Sequence, residues 1–345
     1  MEQPRILTRL AEQLISGPVG QWRAQPDAPR LSCSPALMVD SSSGTHRFAH
    51  QAMATTFEVF IAHLDGVYAE QAAWAAFEEL DRIEKQLSRY IENSDVSRIN
   101  NLPANKTLRI SRDTFKCLQI SARMHRETNG AFDVTVGFLV DLYREKHTPS
   151  EEEMKLVRRR TGMHLIELDE MHRTVCLRAS PVRIDLGAIG KGCAVDRMAA
   201  MLRDWSIDSA LIHGGHSSVL ALSPCPGTSG WSVVLKLGGV NGKMLACVSL
   251  AEQSISGSSL RKGRHIIDPR TGRYAEKTAA AWCRGPNATV TDALSTAFMV
   301  MSPEEIEGYC ARHPDTAAII VVERDKGETW GEQVLRFGDW EGVTS

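Results

Sequence analysis

The stretch Arg183-Ile-Asp-Leu-Gly-Ala-Ile-Gly-Lys-Gly-Cys-Ala-Val-Asp196 organises the reading of this chain. The apolar run Pro181-Val-Arg-Ile184 delivers the backbone to Asp185, and Gly187, Gly190, Lys191 and Gly192 follow. Ala194, Val195, Met198 and Leu202 then recur at helical spacing. The pattern predicts a strand, a tight glycine loop and a helix. Backbone N–H groups left unpaired at such a helix start, beside a lysine, suit an anionic ligand. Neither common phosphate loop is present. The P-loop needs a Gly where this chain has Asp185 and a Ser or Thr where it has Gly192. The dinucleotide pattern needs a third Gly where Val195 stands. By shape alone the stretch reads equally as a connector or an anion site.

Composition narrows the function classes. The 345 residues are 43% hydrophobic and 24% charged, as in ordinary globular chains, and the formal net charge of −2 supplies no basic field for nucleic acid or an anionic membrane. Eight cysteines (33, 117, 176, 193, 225, 247, 283 and 310) are scattered without a C-x-x-C pair, which favours free thiols in a reducing compartment. The N-terminal region carries Arg5, Arg9 and Glu2 with no apolar run of signal-peptide length, and Cys33 lacks the hydrophobic segment of a lipoprotein signal. No stretch approaches a membrane span, so a cytoplasmic protein without a membrane anchor is expected.

Leu7, Leu10, Leu14 and Ile15 recur at helical spacing, and a Pro-, Ser- and Gly-rich segment follows to about Gly44. Residues 1–46 therefore read as a partly irregular extension and 47–345 as one folded domain. Ala54–Ala62 is β-branched and aromatic, hence a strand, and 70–87 is an amphipathic helix. A second helix is predicted over 111–128, before Asn129-Gly130. Short strands are predicted at 211–213, 218–222, 231–237, 245–250 and 318–323. Ser302-Pro-Glu-Glu305 is a capping box with Pro at the first helical position. Strand runs mixed with helices make the fold class α+β.

Thr289-Val-Thr-Asp-Ala-Leu-Ser-Thr-Ala297 is the second chemical stretch. On a helix, Asp292 and Thr296 share one face, and a carboxylate with a hydroxyl is hard-oxygen chemistry that suits magnesium. The alternative is that Thr291 or Asp292 simply caps the helix leading to Met301.

These segments join others in a fixed order: Met53-Ala-Thr-Thr-Phe57, Ser88-Arg-Tyr90, Ser94–Asn100, Gly130-Ala-Phe-Asp-Val-Thr-Val-Gly137, Gly214-Gly215, Ser256-Gly257 and His265-Ile-Ile-Asp-Pro-Arg-Thr-Gly272. The ordered set resembles the ApbE family of FAD:protein FMN transferases. The resemblance implies a single ApbE-like, T-fold-like domain with a mixed, mostly antiparallel sheet and packed helices. It implies magnesium-dependent transfer of FMN from FAD to a Ser or Thr hydroxyl of a client flavoprotein, with AMP released. By motif position, Met53, Tyr90, Ala131, Phe132, Asp133, Asp185, Lys191 and Ile267 would contact FAD. Magnesium would take Asp292, Thr296 and the Ala188 carbonyl.

The chemistry of the residues agrees. A metal and Lys191 can neutralise a diphosphate so that AMP leaves, and Tyr90 and Phe132 offer flat faces to a ring. Asp185 suits a ribose hydroxyl or an outer-shell water. His265 suits the base that takes the client hydroxyl's proton, or a half-buried histidine with a structural partner. Met53 and Phe132 also read as core, Tyr90 as a packed surface ring, and Asp133 and Asp268 as turn formers.

Three departures from the family pattern stand near the expected client or flavin surface. Ala54 replaces the usual Gly, which is tolerable only where φ is not positive; His216 follows the Gly pair; and Ser-Ser-Leu-Arg-Lys follows Gly257. Two other readings keep the same site: FAD pyrophosphatase activity giving FMN and AMP, and flavin binding without catalysis.

Overall fold

The computed structural model describes residues 36–37, 44–145, 149–215, 217–237, 242–260, 265–325, 330–340 and 343–344. The helix expected within 7–15 and most of the expected extension lie outside these residues.

Period-two alternation builds the centre. An eight-stranded sheet runs in the spatial order Trp330–Phe337, Ala317–Asp325, Thr278–Gly285, Gln253–Ser259, Ser218–Ala221, Ala210–Gly214, Thr55–Ala62 and Thr45–Ala52. Every neighbouring pair is antiparallel. Successive side chains leave opposite faces. Val59, Ile61, Ala281, Cys283 and Ile320 enter one core, whereas Phe60, Ala280, Trp282, Ile319 and Val321 enter the other. The helices Gly66–Leu87, Gly190–Asp204 and Ala288–Ala297 cover the first face, with Arg112–Glu127 packed beside them. The paired strands Trp231–Leu237 and Lys243–Leu250 close the second face through Trp231, Val233, Val248 and Leu250. Each such fully buried aliphatic side chain is worth about 1.5–3 kcal/mol of transfer free energy. Ala36–Leu37 adds a short antiparallel pairing to this smaller sheet. The α+β class and the antiparallel sheet with packed helices are the observed architecture.

Capping residues set the helix ends. Asp65 accepts from the Val67 and Tyr68 N–H groups at 2.9 and 3.1 Å, so the first helix begins at Gly66 rather than at residue 70. Ser111 caps Arg112–Glu127, and the Ser302–Glu305 capping box precedes Pro303–Arg312 as the sequence indicated.

Two expectations fail locally. Pro181–Ile184 is not a strand: Arg183 makes one isolated parallel bridge to Val136. The neighbouring N–H groups go elsewhere, Ile184 to the Asn100 side chain at 2.6 Å and Asp185 to the Val134 carbonyl at 2.7 Å. Proline cannot donate, and these partners replace a ladder. Nor does Thr291 or Asp292 cap its helix. Asn287 does, accepting from Val290 N–H at 3.0 Å, and the helix ends at Ala297.

The helices Gly190–Asp204 and Ala288–Ala297 touch backbone to backbone. A Cβ on Gly192 would lie 2.2 Å from the Ala288 carbonyl oxygen, so glycine is what permits the approach. Asp196, one turn on, accepts from the Ala288 and Thr289 N–H groups at 2.8 Å each and joins the two helices.

Candidate active site

A cavity of about 620 Å³ gathers residues from distant parts of the chain. Met53, Ala131, Phe132, Asp133, Asp185, Ala188, Lys191, His265, Ile267, Asp292 and Thr296 all line it. Tyr90 does not. It stands exposed beside the cavity and accepts a hydrogen bond at 2.5 Å from Arg144, which does line it.

Asp292 is buried at the contact of the two helices. Its Oδ2 accepts from Gly192 N–H at 3.0 Å, its Oδ1 accepts from Ser218 Oγ at 3.1 Å, and Lys191 Nζ stands 3.7 Å from Oδ1. The helix start that looked open to an external anion thus directs one N–H at an internal carboxylate, where the dipole favours negative charge. Lys191 belongs to the first helical turn rather than to a loop, with Nζ 3.4 Å from the Gly187 carbonyl oxygen.

Alternate serines of the Gln253–Ser259 strand secure the other helix. Ser254 and Ser256 meet the Thr291 hydroxyl at 2.8 and 2.9 Å. Ser258 meets Ser295 at 2.9 Å and Thr296 at 3.2 Å. This ladder of hydroxyls holds the register that places Asp292 and Thr296 on the cavity wall. The Asp292 carboxylate and the Thr296 hydroxyl are hard oxygen donors among the lining residues, and Ala188 lines the cavity with them. Among the described residues no three His, Cys, Asp or Glu gather as a metal cluster. A one-carboxylate wall fits magnesium, which commonly completes its shell with water and substrate phosphates.

Asp133 is spent structurally. Its Oδ1 accepts from Thr135 N–H at 2.8 Å and from the Thr135 hydroxyl at 2.6 Å, and its Oδ2 accepts from Met163 N–H at 3.2 Å. His125 Nδ1 lies 3.2 Å from Oδ2 and 3.1 Å from the Phe132 carbonyl, anchoring the Ala131–Asp133 segment from behind. The hydrogen bond to Asp133 raises the His125 pKa above its ordinary 6.5, against burial. A folded-state pKa above the unfolded one stabilises fully below about pH 6.5 and is lost as pH rises through the raised value. Unfolding free energy should therefore fall across that window in the wild type and stay flatter in His125→Gln. Parallel pH profiles in urea titrations would remove this role.

Met53 and Ala54 form the two-residue turn between Thr45–Ala52 and Thr55–Ala62, at φ 49° and 57°. Positive φ at both places is the type I′ hairpin geometry, which favours Asn-Gly. The condition set by the sequence is not met, so Ala54 carries left-handed strain at the cavity wall. Met53 N–H donates to Glu84 at 2.8 Å and helps hold the turn. Ala54→Gly is expected to raise the unfolding free energy by about 1 kcal/mol; a lower urea midpoint would contradict the assignment.

Asp185 accepts from Gly187 N–H at 2.8 Å and faces the cavity. Asp268 is a turn former, accepting from Arg270 N–H at 2.9 Å and bound again by the Arg270 guanidinium. The sequence reading missed Tyr143 and Tyr274, which line the cavity with ring centroids 4.2 Å apart; Ser258, which that reading named only within a family departure, lines it too. Of the family departures, His216 and the Arg261-Lys262 end of the Ser258–Lys262 stretch lie outside the described residues.

Comparison with known proteins gives one consistent answer. The sequence profile of the ApbE family matches residues 53–320. The FAD:protein FMN transferase of Escherichia coli (strain K12) is 26% identical over 301 residues, which span 81% of this chain and 84% of the relative. That of Haemophilus influenzae is 26% identical over 341 residues, spanning 92% and 95%. Among solved structures, the apo flavinyl transferase ApbE of Pseudomonas stutzeri superposes with a TM-score of 0.74 at 25% identity, covering 87% of this chain and 97% of that one. The flavin transferase ApbE of Vibrio cholerae shares the fold with a TM-score of 0.72 at 22% identity, covering 84% and 97%.

Proposed function

The chain belongs to the ApbE family, and from that premise we propose that it transfers FMN from FAD to a Ser or Thr hydroxyl of a client flavoprotein, releasing AMP. The observation that carries this reading is the convergence of Asp185, Ala188, Lys191, Asp292 and Thr296 on one cavity wall, with Phe132 and Met53 in the same cavity.

The Asp292 carboxylate, Thr296 hydroxyl and Ala188 carbonyl would hold magnesium. Bound there, the ion would neutralise the diphosphate and make AMP a better leaving group. Lys191 adds a second positive charge beside Asp292 and compensates the charge that develops on the phosphates. Met53, Ala131, Phe132 and Ile267 supply apolar surface for the flavin nucleotide, and Tyr90 stands at the rim with Arg144. Asp185 offers an acceptor to a nucleotide hydroxyl. His265 takes the proton of the attacking client hydroxyl as the new O–P bond forms and the bond to AMP breaks. The expected boundary after residue 46 falls inside the strand Thr45–Ala52 of the main sheet, so the catalytic domain includes residues before 47; scattered cysteines support a cytoplasmic location. Among the described residues no helix is long and apolar enough to cross a membrane.

The chain is incubated with FAD, Mg²⁺ and flavin-stripped acceptor proteins, denatured, and run on a gel read by flavin fluorescence. Transfer predicts a fluorescent protein band that EDTA abolishes. Free FMN and AMP without a band would indicate hydrolysis, and unchanged FAD would indicate binding alone; either contradicts the proposal.

A further inference from the structure

Behind Asp185 at the cavity wall lies a row of charges, none of which the mechanism above uses. Arg89, one residue before Tyr90, is only 8% exposed at its side chain. Its Nη2 donates to Asp141 Oδ1, and its Nε lies 3.3 Å from Asp185 Oδ2. Arg183 takes the other oxygen of Asp141 and rests over the Phe138 ring at 4.7 Å. With Asp185 the row therefore alternates in sign: Arg183, Asp141, Arg89, Asp185. Asp141 is shared between two guanidiniums, whereas Asp185 has Arg89 as its cation. Burial disfavours the Arg89 charge, yet Asp185 and Asp141 outweigh it and hold the pKa above the usual arginine value. The same guanidinium lies 5.0 Å from the Tyr90 ring centroid, and its buried Nη1 has no hydrogen-bond partner among the described residues. A buried donor left unpaired is costly, and the two carboxylates on the rest of the guanidinium offset that cost.

We propose that Arg89 is a positioning residue of the flavin site: its planar fork, braced on Asp141, fixes the Asp185 carboxylate at the cavity wall and sets it as a rigid acceptor for a nucleotide hydroxyl. Between Gly187 N–H on one oxygen and Arg89 on the other, Asp185 has no freedom to turn away. A lysine would keep the charge but not the two-sided reach. The inference rests on the flavin transferase reading.

A double-mutant cycle tests it, with FAD affinity measured in EDTA by quenching of flavin fluorescence. Asp185→Asn and Arg89→Met are each expected to weaken FAD binding roughly 10-fold, the scale of one hydrogen bond to a charged group. The double variant should lose about the same 10-fold, because Arg89 acts through Asp185. Arg89→Lys should bind as weakly as Arg89→Met, and it completes the cycle if Arg89→Met does not fold. A double variant losing roughly the product of the single losses, or wild-type affinity in Arg89→Lys, would overturn the proposal. Wild-type protein that leaves FAD fluorescence unchanged would overturn the functional reading itself, and the proposal with it.

Discussion

Asp292→Asn is expected to lower kcat/KM for FMN transfer by roughly a thousandfold or more, about 4 kcal/mol of transition-state stabilisation. The substitution keeps the shape and removes the charge that faces Lys191 and would face the metal. It is not neutral for the fold. Both oxygens of Asp292 accept hydrogen bonds, from Gly192 N–H and Ser218 Oγ, and an amide must turn its NH₂ toward one of these donors. A stability loss of about 1–3 kcal/mol should accompany the kinetic loss. Thermal melts beside the assay separate the two: folded protein with lost transfer supports the metal role. Folded Asp292→Asn with wild-type turnover in saturating Mg²⁺ and FAD would remove it.

Gly192→Ala should destabilise the chain by about 3 kcal/mol and abolish transfer as well. The added Cβ would meet three backbone atoms of the Ala288–Ala297 helix: the Ala288 carbonyl oxygen and carbon at 2.2 and 2.6 Å, and Thr289 Cα at 2.8 Å. No rotamer relieves a backbone collision, so the helices must separate and Gly192 N–H must leave Asp292. Gly190→Ala is the matched control. There the nearest atom is Leu186 Cβ at 3.9 Å, ordinary contact, and alanine is the better helix former. Equal urea midpoints for the two variants would contradict this account of the G-K-G sequence.

The ordered motifs of the family resemblance singled out Asp292, Thr296, Lys191 and Asp185, whereas by their own chemistry the loop read equally as a connector and Asp292 also as a cap; the fold lines all four along one cavity. The central strands Gln253–Ser259 and Thr278–Gly285 were not readable. The first spends Ser254, Ser256 and Ser258 on the facing helix, so polar residues occupy the inward positions and hide the alternation. The second reads Thr-Ala-Ala-Ala-Trp-Cys-Arg-Gly, with alanines where β-branched residues would signal a strand. Thr291 looked like a cap because its partners lie on that unrecognised strand. Arg89 was passed over for a related reason: its partners, Asp141 and Asp185, stand far along the chain, and only the fold puts them in line. The positive φ at Ala54 was framed as a condition by the sequence and decided by the turn.

The opening loop is therefore one half of a two-helix device. Gly192 lets the helices meet, Asp292 enters the start of the first, and Lys191 stands across from it. The most direct test of this centre is a count in a single reaction with Mg²⁺ and acceptor protein: AMP released against flavin retained on acid-precipitated protein. Transfer predicts equal amounts throughout the time course. AMP accumulating with no retained flavin would contradict it.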